Sequence, residues 1–239
     1  MSISSGVLLN IRTIIRQLIP AQPCLLCGAM SRDSLWCEAC NLSLPYLNTP
    51  HCPVCALPTP AGAVCGHCLS HPPLFNRTTA VFGYSFPLDK LIQNMKYGGQ
   101  LALPGAFAKK LVQRIDSNDL PDFVIAMPLH PAKLRERGFN QSQLIAAAIA
   151  RELKIALPSN ACQRLRDTPP QSALPWNERE KNVRNAFSCD MDLTGKRIAL
   201  VDDVMTTGAS LNALAKAVTK RGAIQVSAWT IARTLKQRT

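Results

Sequence analysis

Eight of the ten cysteines lie between residues 24 and 68, in one pattern written twice. Cys24, Cys27, Cys37 and Cys40 read C-x2-C-x9-C-x2-C, and Cys52, Cys55, Cys65 and Cys68 repeat it at a constant offset of 28 residues. A C-x2-C pair turns tightly enough to present two thiolates to one ion. Two such pairs complete a tetrahedral four-sulfur shell with no position left for substrate. The spacing therefore predicts two structural zinc ions. Regular spacing without a secretion signal argues for metal rather than disulfides, and so for a reducing, cytoplasmic setting. Sequential pairing, one repeat to one zinc, is favoured because each repeat holds a full ligand set; a cross-braced exchange of pairs is the alternative that spacing leaves open. His51, His67 and His71 lie nearby, but each site already counts four cysteines, so they are expected outside the metal shells.

Around the knuckles the chain carries Pro45, Pro50, Pro53, Pro58, Pro60, Pro72 and Pro73. So irregular a segment buries little, and metal binding must supply much of its folding free energy. The expected organisation is an N-terminal amphipathic helix within 1–22, a double zinc-ribbon module over 23–72 and an α/β domain over 76–239. In the helix, Leu8, Ile11, Ile15 and Leu18 recur at helical spacing, interrupted by Arg12 and Arg16. No stretch is long and apolar enough to span a membrane; residues 6–20 read as a helix docked on the body of the protein, with peripheral contact with a membrane surface as the alternative. The net charge of +12 belongs almost wholly to the C-terminal part, where 76–239 carries 24 basic against 13 acidic side chains. Lys90 to Arg114 and Lys216 to Arg238 are basic without any acid. Such a surface favours polyanions, among them nucleotides and nucleic acid.

Past Pro73 the pattern changes. Ala80 to Tyr84 alternates as a strand, and Leu88, Leu91, Ile92 and Met95 follow helical spacing up to Gly98-Gly99. Another helix begins near Pro104. Pro121 to Pro128 reads as a second buried strand, running into a loop with three cations, Lys133, Arg135 and Arg137. Ile198 to Val201 is an apolar run that ends at Asp202-Asp203, and a helix begins just after Gly208 with Leu211, Leu214, Ala215 and Val218 on one face. Ile224, Val226 and Ala228 alternate toward Arg233. Strand, helix and strand in this order give a parallel unit, and ligands bind outside the carboxyl ends of such strands. Thr206, Thr207, Gly208, Ala209 and Ser210 would then form an anion nest at a helix N-terminus. Cys162 and Cys189 read as ordinary small apolar residues.

The stretch from Leu200 to Ser210 resembles the PRPP-binding motif of the type I phosphoribosyltransferase fold. The resemblance implies that Asp202 and Asp203 hold the ribose hydroxyls and are the catalytic residues, stabilising the ribose by charge. It also implies that Thr206 to Ser210 cradle the 5-phosphate, that Lys133, Arg135 and Arg137 bind pyrophosphate, and that Mg2+ accompanies PRPP. Arg164, Arg166, Arg179, Lys181 and Arg184 fall in a polar stretch that suits the mobile loop such enzymes close over the site, with Trp176 as a candidate anchor. The cysteine module, Arg137-Gly138-Phe139-Asn140-Gln141, Thr168-Pro169-Pro170-Gln171, Glu178-Arg179, Asn182-Val183, Ala186-Phe187 and Ile231-Ala232-Arg233-Thr234 together resemble the ComF family, and the two cysteine quartets its GntX-like branch. That resemblance implies a role in DNA uptake, natural transformation or use of DNA as a nutrient. It also implies single-stranded DNA and DNA-uptake proteins as partners.

Two functions fit these features: a phosphoribosyltransferase that transfers from PRPP to a nitrogen nucleophile, and a non-catalytic PRPP-sensing or single-stranded-DNA-binding protein of the same fold. Only 5% of residues are aromatic, which weakens a stacking platform for bases. Hypoxanthine-type enzymes of this fold carry a further carboxylate three residues after the second acid; here that position is Thr206. The sequence names neither the acceptor nor the oligomeric state.

Overall fold

The computed structural model describes residues 21–32, 34–167, 183 and 185–235. The helix expected over 6–20 and the stretch 168–182, with Trp176, Arg179 and Lys181, lie outside the described residues, as does Arg184. The chain divides into two units, Met1–Leu44 and Pro45–Thr239. Grouping by motif puts both quartets into 23–72, whereas grouping by packing sends the second quartet with the sheet.

In the first unit, β1 (Gln22–Pro23) and β2 (Met30–Ser31) pair antiparallel around the first knuckle, and α1 (Glu38–Ser43) starts directly after Cys37. Trp36 is fully buried and donates its indole N–H to Asn41 Oδ1 at 3.0 Å. One buried tryptophan is a small core, and the four thiolates must supply the rest through their metal.

In the second unit α2 (Gly66–Ser70) follows Cys65. Then come β3 (Arg77–Gly83), α3 (Leu88–Tyr97), α4 (Leu103–Val112), β4 (Phe123–Ala126), α5 (Pro131–Arg137), α6 (Gln141–Leu153), β5 (Cys162–Arg164), β6 (Phe187–Cys189), β7 (Arg197–Met205), α7 (Ala209–Thr219) and β8 (Gln225–Arg233). Strands β3, β8, β7 and β4, in that spatial order, form a four-stranded sheet with every pairing parallel. Ile125, Ile198, Leu200, Val226 and Ala228 pack with Leu211, Leu214 and Val218 of α7. The alternate residues Val124, Ala199, Val201 and Trp229 are equally buried and turn to the opposite face, where α6 lies against β4 and β7. Strands covered on both faces must be apolar at every position, which explains the unbroken run Ile198–Val201.

The expected strand ending at Val201 runs on to Met205. Pairing with β8 carries it through the acids, with Asp202 opposite Thr230 and Met205 opposite Arg233. Both outer edges of the sheet are met by short segments. Along β3, Leu47 N–H donates to Val81 O at 2.9 Å and Gly83 N–H to Pro45 O at 2.8 Å. Along β4, Val124 N–H donates to Ala156 O at 2.9 Å. A separate antiparallel ribbon pairs β5 with β6 and sets Cys162 directly opposite Cys189. The two cysteines read separately from sequence are thus cross-strand neighbours.

Candidate functional site

In each quartet the four sulfur atoms all lie within 4.8 Å of one another. The Cys27–Cys37 and Cys55–Cys65 sulfur pairs are each 3.6 Å apart. A tetrahedral ion with bonds of about 2.3 Å sets its sulfurs roughly 3.8 Å apart, so both donor sets fit zinc, and the pairing is sequential. The 28-residue repeat extends to the backbone. Gly28 and Ala56, each following a knuckle, take positive φ of 77° and 57° and donate back to Cys24 O and Cys52 O at 2.9 and 2.8 Å. The histidines stay outside both shells: His67 stacks on His71 at 5.4 Å, and His51 Nδ1 meets Thr49 O at 3.0 Å.

The second cluster of chemistry sits where the parallel strands end. A cavity of about 680 Å³ opens there, lined by Asp202, Asp203, Thr206, Gly208 and Ser210 from β7 and the loop into α7, and by Lys133, Arg137 and Arg164 from neighbouring elements. Gly208 takes φ 85°, and a Cβ on it would stand 2.8 Å from Met205 Cε. Only glycine turns the chain there without strain. Thr207 Oγ1 accepts the Ala209 N–H at 3.1 Å and holds the turn. Gly208 and Ser210 thereby bring the N-terminus of α7, the positive end of its dipole, to the cavity wall.

Neighbours tune the acids. Asp203 is 4% exposed, and its carboxylate meets Lys96 Nζ at 2.5 Å. Burial opposes its charge, but Lys96 outweighs burial and holds its carboxyl below the usual range. Burial likewise works against the Lys96 ammonium, and Asp203 more than restores it, so the lysine stays charged. Asp202 is half-buried and accepts from Ser142 Oγ at 3.1 Å and from the Asp203 N–H at 2.9 Å. Burial, together with the adjacent Asp203 charge, pushes its pKa up to about 7. Asn140 places Ser142. Its Oδ1 caps α6 by accepting from Ser142 and Gln143 N–H, and its Nδ2 donates to Met127 O at 3.0 Å.

The expected cationic loop is instead the two-turn helix α5. His130 caps it by accepting the Ala132 N–H, Pro131 begins it and Gly138 at φ 81° ends it, so both terminal signals were present in the sequence. On this helix Lys133 and Arg137 line the cavity, while Arg135 is exposed and does not. Lys133 Nζ pairs with Glu136 at 2.6 Å, and Arg137 bonds Gln141 and lies 5.2 Å from the Tyr97 ring. Arg164, expected in a mobile loop, belongs to strand β5, with its guanidinium 5.6 Å from the Phe187 ring. Arg166 is exposed beyond that strand and does not line the cavity, nor do Thr207 and Ala209. Lys96, Tyr97 and Ser142 were not singled out from sequence as site residues. Lys96 carried one usable signal, its place in the acid-free basic stretch from Lys90 to Arg114.

A family profile described as a double zinc ribbon domain matches residues 14–69. Over 221 residues the chain is 33% identical to the DNA utilization protein YhgH of Escherichia coli strain K12, covering 89% of this chain and 97% of that one. It is 33% identical over 178 residues to competence protein F of Haemophilus influenzae, covering 71% and 78%. To competence protein ComFC of Bacillus subtilis it is 27% identical over 238 residues, covering 88% and 94%. Solved structures similar to it include a purine phosphoribosyltransferase from Pyrococcus horikoshii, at 19% identity and a TM-score of 0.33, covering 58% of this chain and 85% of that one. A TM-score of 0.33 is too low for that likeness to decide fold or ligand. The α/β assignment rests on the strand order, and the ribbon on the quartets. Among the described residues no helix is long and apolar enough to cross a membrane.

Proposed function

Because the chain belongs to the ComF family, we propose that its second unit is a type I phosphoribosyltransferase-like domain that binds PRPP with Mg2+, and that the protein serves in DNA uptake or in the use of DNA as a nutrient. The observation that carries the PRPP reading is one shared cavity with three kinds of donor set. Asp202 and Asp203 offer acceptors to the ribose hydroxyls. Thr206, Gly208, Ser210 and the N-terminus of α7 offer donors to a phosphate. Lys133 and Arg137 offer cations to a diphosphate, the arginine through its forked donors. A volume near 680 Å³ falls within the range of small-ligand pockets. Mg2+ arrives on the diphosphate and spreads its charge. Loss of that group through an oxocarbenium-like state needs charge stabilisation, which these residues are equipped to give, and no covalent partner.

Calorimetry with PRPP and Mg2+ tests this reading. Heat of binding in the natural protein, lost when Asp202→Asn and Asp203→Asn are combined, supports it. Binding that the double variant retains moves the site elsewhere.

A non-catalytic PRPP sensor is the second reading. Thr206 lines the cavity at the sequence position where hypoxanthine-type enzymes carry a carboxylate, and a hydroxyl, with a pKa far above neutrality, is no general acid or base there, which disfavours that one class of transfer. For direct DNA contact the support is narrower than the charge suggests, because several cations of the acid-free stretch are engaged internally. Lys96 holds Asp203, Lys110 lies over Tyr46 at 5.7 Å, and Arg114 donates to Leu47 O and Asn48 Oδ1. We assign the protein to the cytoplasm and to the two-quartet, GntX-like branch of the family.

A further inference from the structure

Arg233 is 1% exposed, the most deeply buried charge among the described residues. Its partners there are four carbonyl oxygens and no carboxylate. Nε donates to Cys55 O at 2.7 Å, and one terminal nitrogen donates to Met205 O and Thr234 O, each at 3.0 Å, and to Thr206 O. An isolated buried guanidinium is expensive unless something opposite in sign stands close. One such group stands beside it. A zinc ion with four thiolates carries two net negative charges, and Cys55, one of those ligands, is the residue whose carbonyl Arg233 holds. Of the other three, Met205 O and Thr206 O belong to the start of the anion loop.

We propose that Arg233 is a positioning residue that couples the second four-cysteine centre to the loop Met205–Ser210, so that zinc at this quartet sets the order of the loop and its affinity for phosphate. The first quartet, in the other unit, has a structural role only. With zinc bound, the thiolates of Cys52, Cys55, Cys65 and Cys68 would set a net negative charge beside the arginine, and the Cys55 carbonyl would be held in place. One terminal nitrogen of the arginine then fixes the two carbonyls where β7 leaves the sheet. The assignment of the loop to a phosphate rests on the PRPP reading; the coupling of metal to loop does not.

The test follows zinc release into a chromophoric chelator together with amide hydrogen exchange of residues 204–211. Cys24→Ser and Cys52→Ser identify which release phase belongs to which quartet. In the natural protein, loop exchange should quicken in step with loss of the second ion and stay flat during loss of the first. In Arg233→Lys, which keeps the charge but loses the fork, release from the second quartet should quicken at least tenfold with the first phase unchanged, and the loop should exchange as in the zinc-stripped protein. By reciprocity of coupled sites, PRPP with Mg2+ should slow second-site release in the natural protein and not in Arg233→Lys. Loop exchange indifferent to the second ion, or a second phase unchanged in Arg233→Lys, overturns the coupling. The chelation series does not depend on Arg233→Lys, so misfolding of that variant does not remove the test. Intact metal-to-loop coupling with no effect of PRPP on release supports the coupling and overturns the ligand reading.

Discussion

Replacing Lys96 with methionine keeps the length of the side chain and deletes the charge 2.5 Å from Asp203. In the natural protein Asp203 stays ionised because its folded pKa is depressed. Its stabilisation is present above the unfolded carboxylate pKa and is lost as pH falls through the folded value. Without the ammonium, an unpaired carboxylate in that site costs about 3–5 kcal/mol. The group has an escape, since it can take a proton. Protonating a carboxylate with a reference pKa near 4 costs about 1.4 kcal/mol per pH unit above that value, hence about 3 kcal/mol at pH 6 and about 4 at pH 7. The cheaper route sets the loss. We expect Lys96→Met to lower unfolding free energy by about 3 kcal/mol at pH 6 and about 4 kcal/mol at pH 7. Its folded state should hold roughly one proton more than that of the natural protein. Urea unfolding of the zinc-loaded protein, followed by circular dichroism at both pH values, measures it. A loss below about 1 kcal/mol that is equal at the two pH values would refute the reasoning, because it would mean that water rather than Lys96 compensates Asp203.

Elemental analysis of protein purified without added metal should find two zinc ions per chain, and Cys24→Ser and Cys52→Ser should each lose one. With PRPP, Mg2+ and a panel of free bases, no brisk release of pyrophosphate is expected with hypoxanthine or guanine, since Thr206 offers no acid; rapid release with either would show that a different group moves the proton. Gly208→Ala should cost about 1–2 kcal/mol of stability, the price of a left-handed non-glycine residue, with Met205 Cε displaced by the new methyl. Thermal unfolding reads that cost, and an unchanged midpoint would mean that the turn relaxes freely.

What the sequence made legible was local. The quartets, the strand leading into Asp202-Asp203 and the start of α7 each declare themselves within about a dozen residues through spacing, hydrophobic period or a terminal glycine. Helix α5 was harder, because Lys133, Arg135, Glu136 and Arg137 leave its short span without an apolar face, and only its end signals mark it. The rest of the site is non-local. Nothing beside Lys96 foretells that β7 delivers Asp203 to it, and nothing beside Arg233 foretells that three of its carbonyl partners come from Cys55, Met205 and Thr206. Cys162 and Cys189 face each other only because the ribbon closes across a long connection. A one-dimensional pattern shows which groups want a partner, and the sheet decides which partner they receive.

The short segments along β3 and β4 bear on how copies of this protein meet. An open sheet offers a row of unused donors and acceptors at each rim, a template on which a second chain can add a strand and begin a fibre. Here one rim is occupied by Pro45 to Leu47 and the other by Ala156, from the same chain. Growth of the sheet from one molecule into the next is thereby blocked at the positions those residues cover.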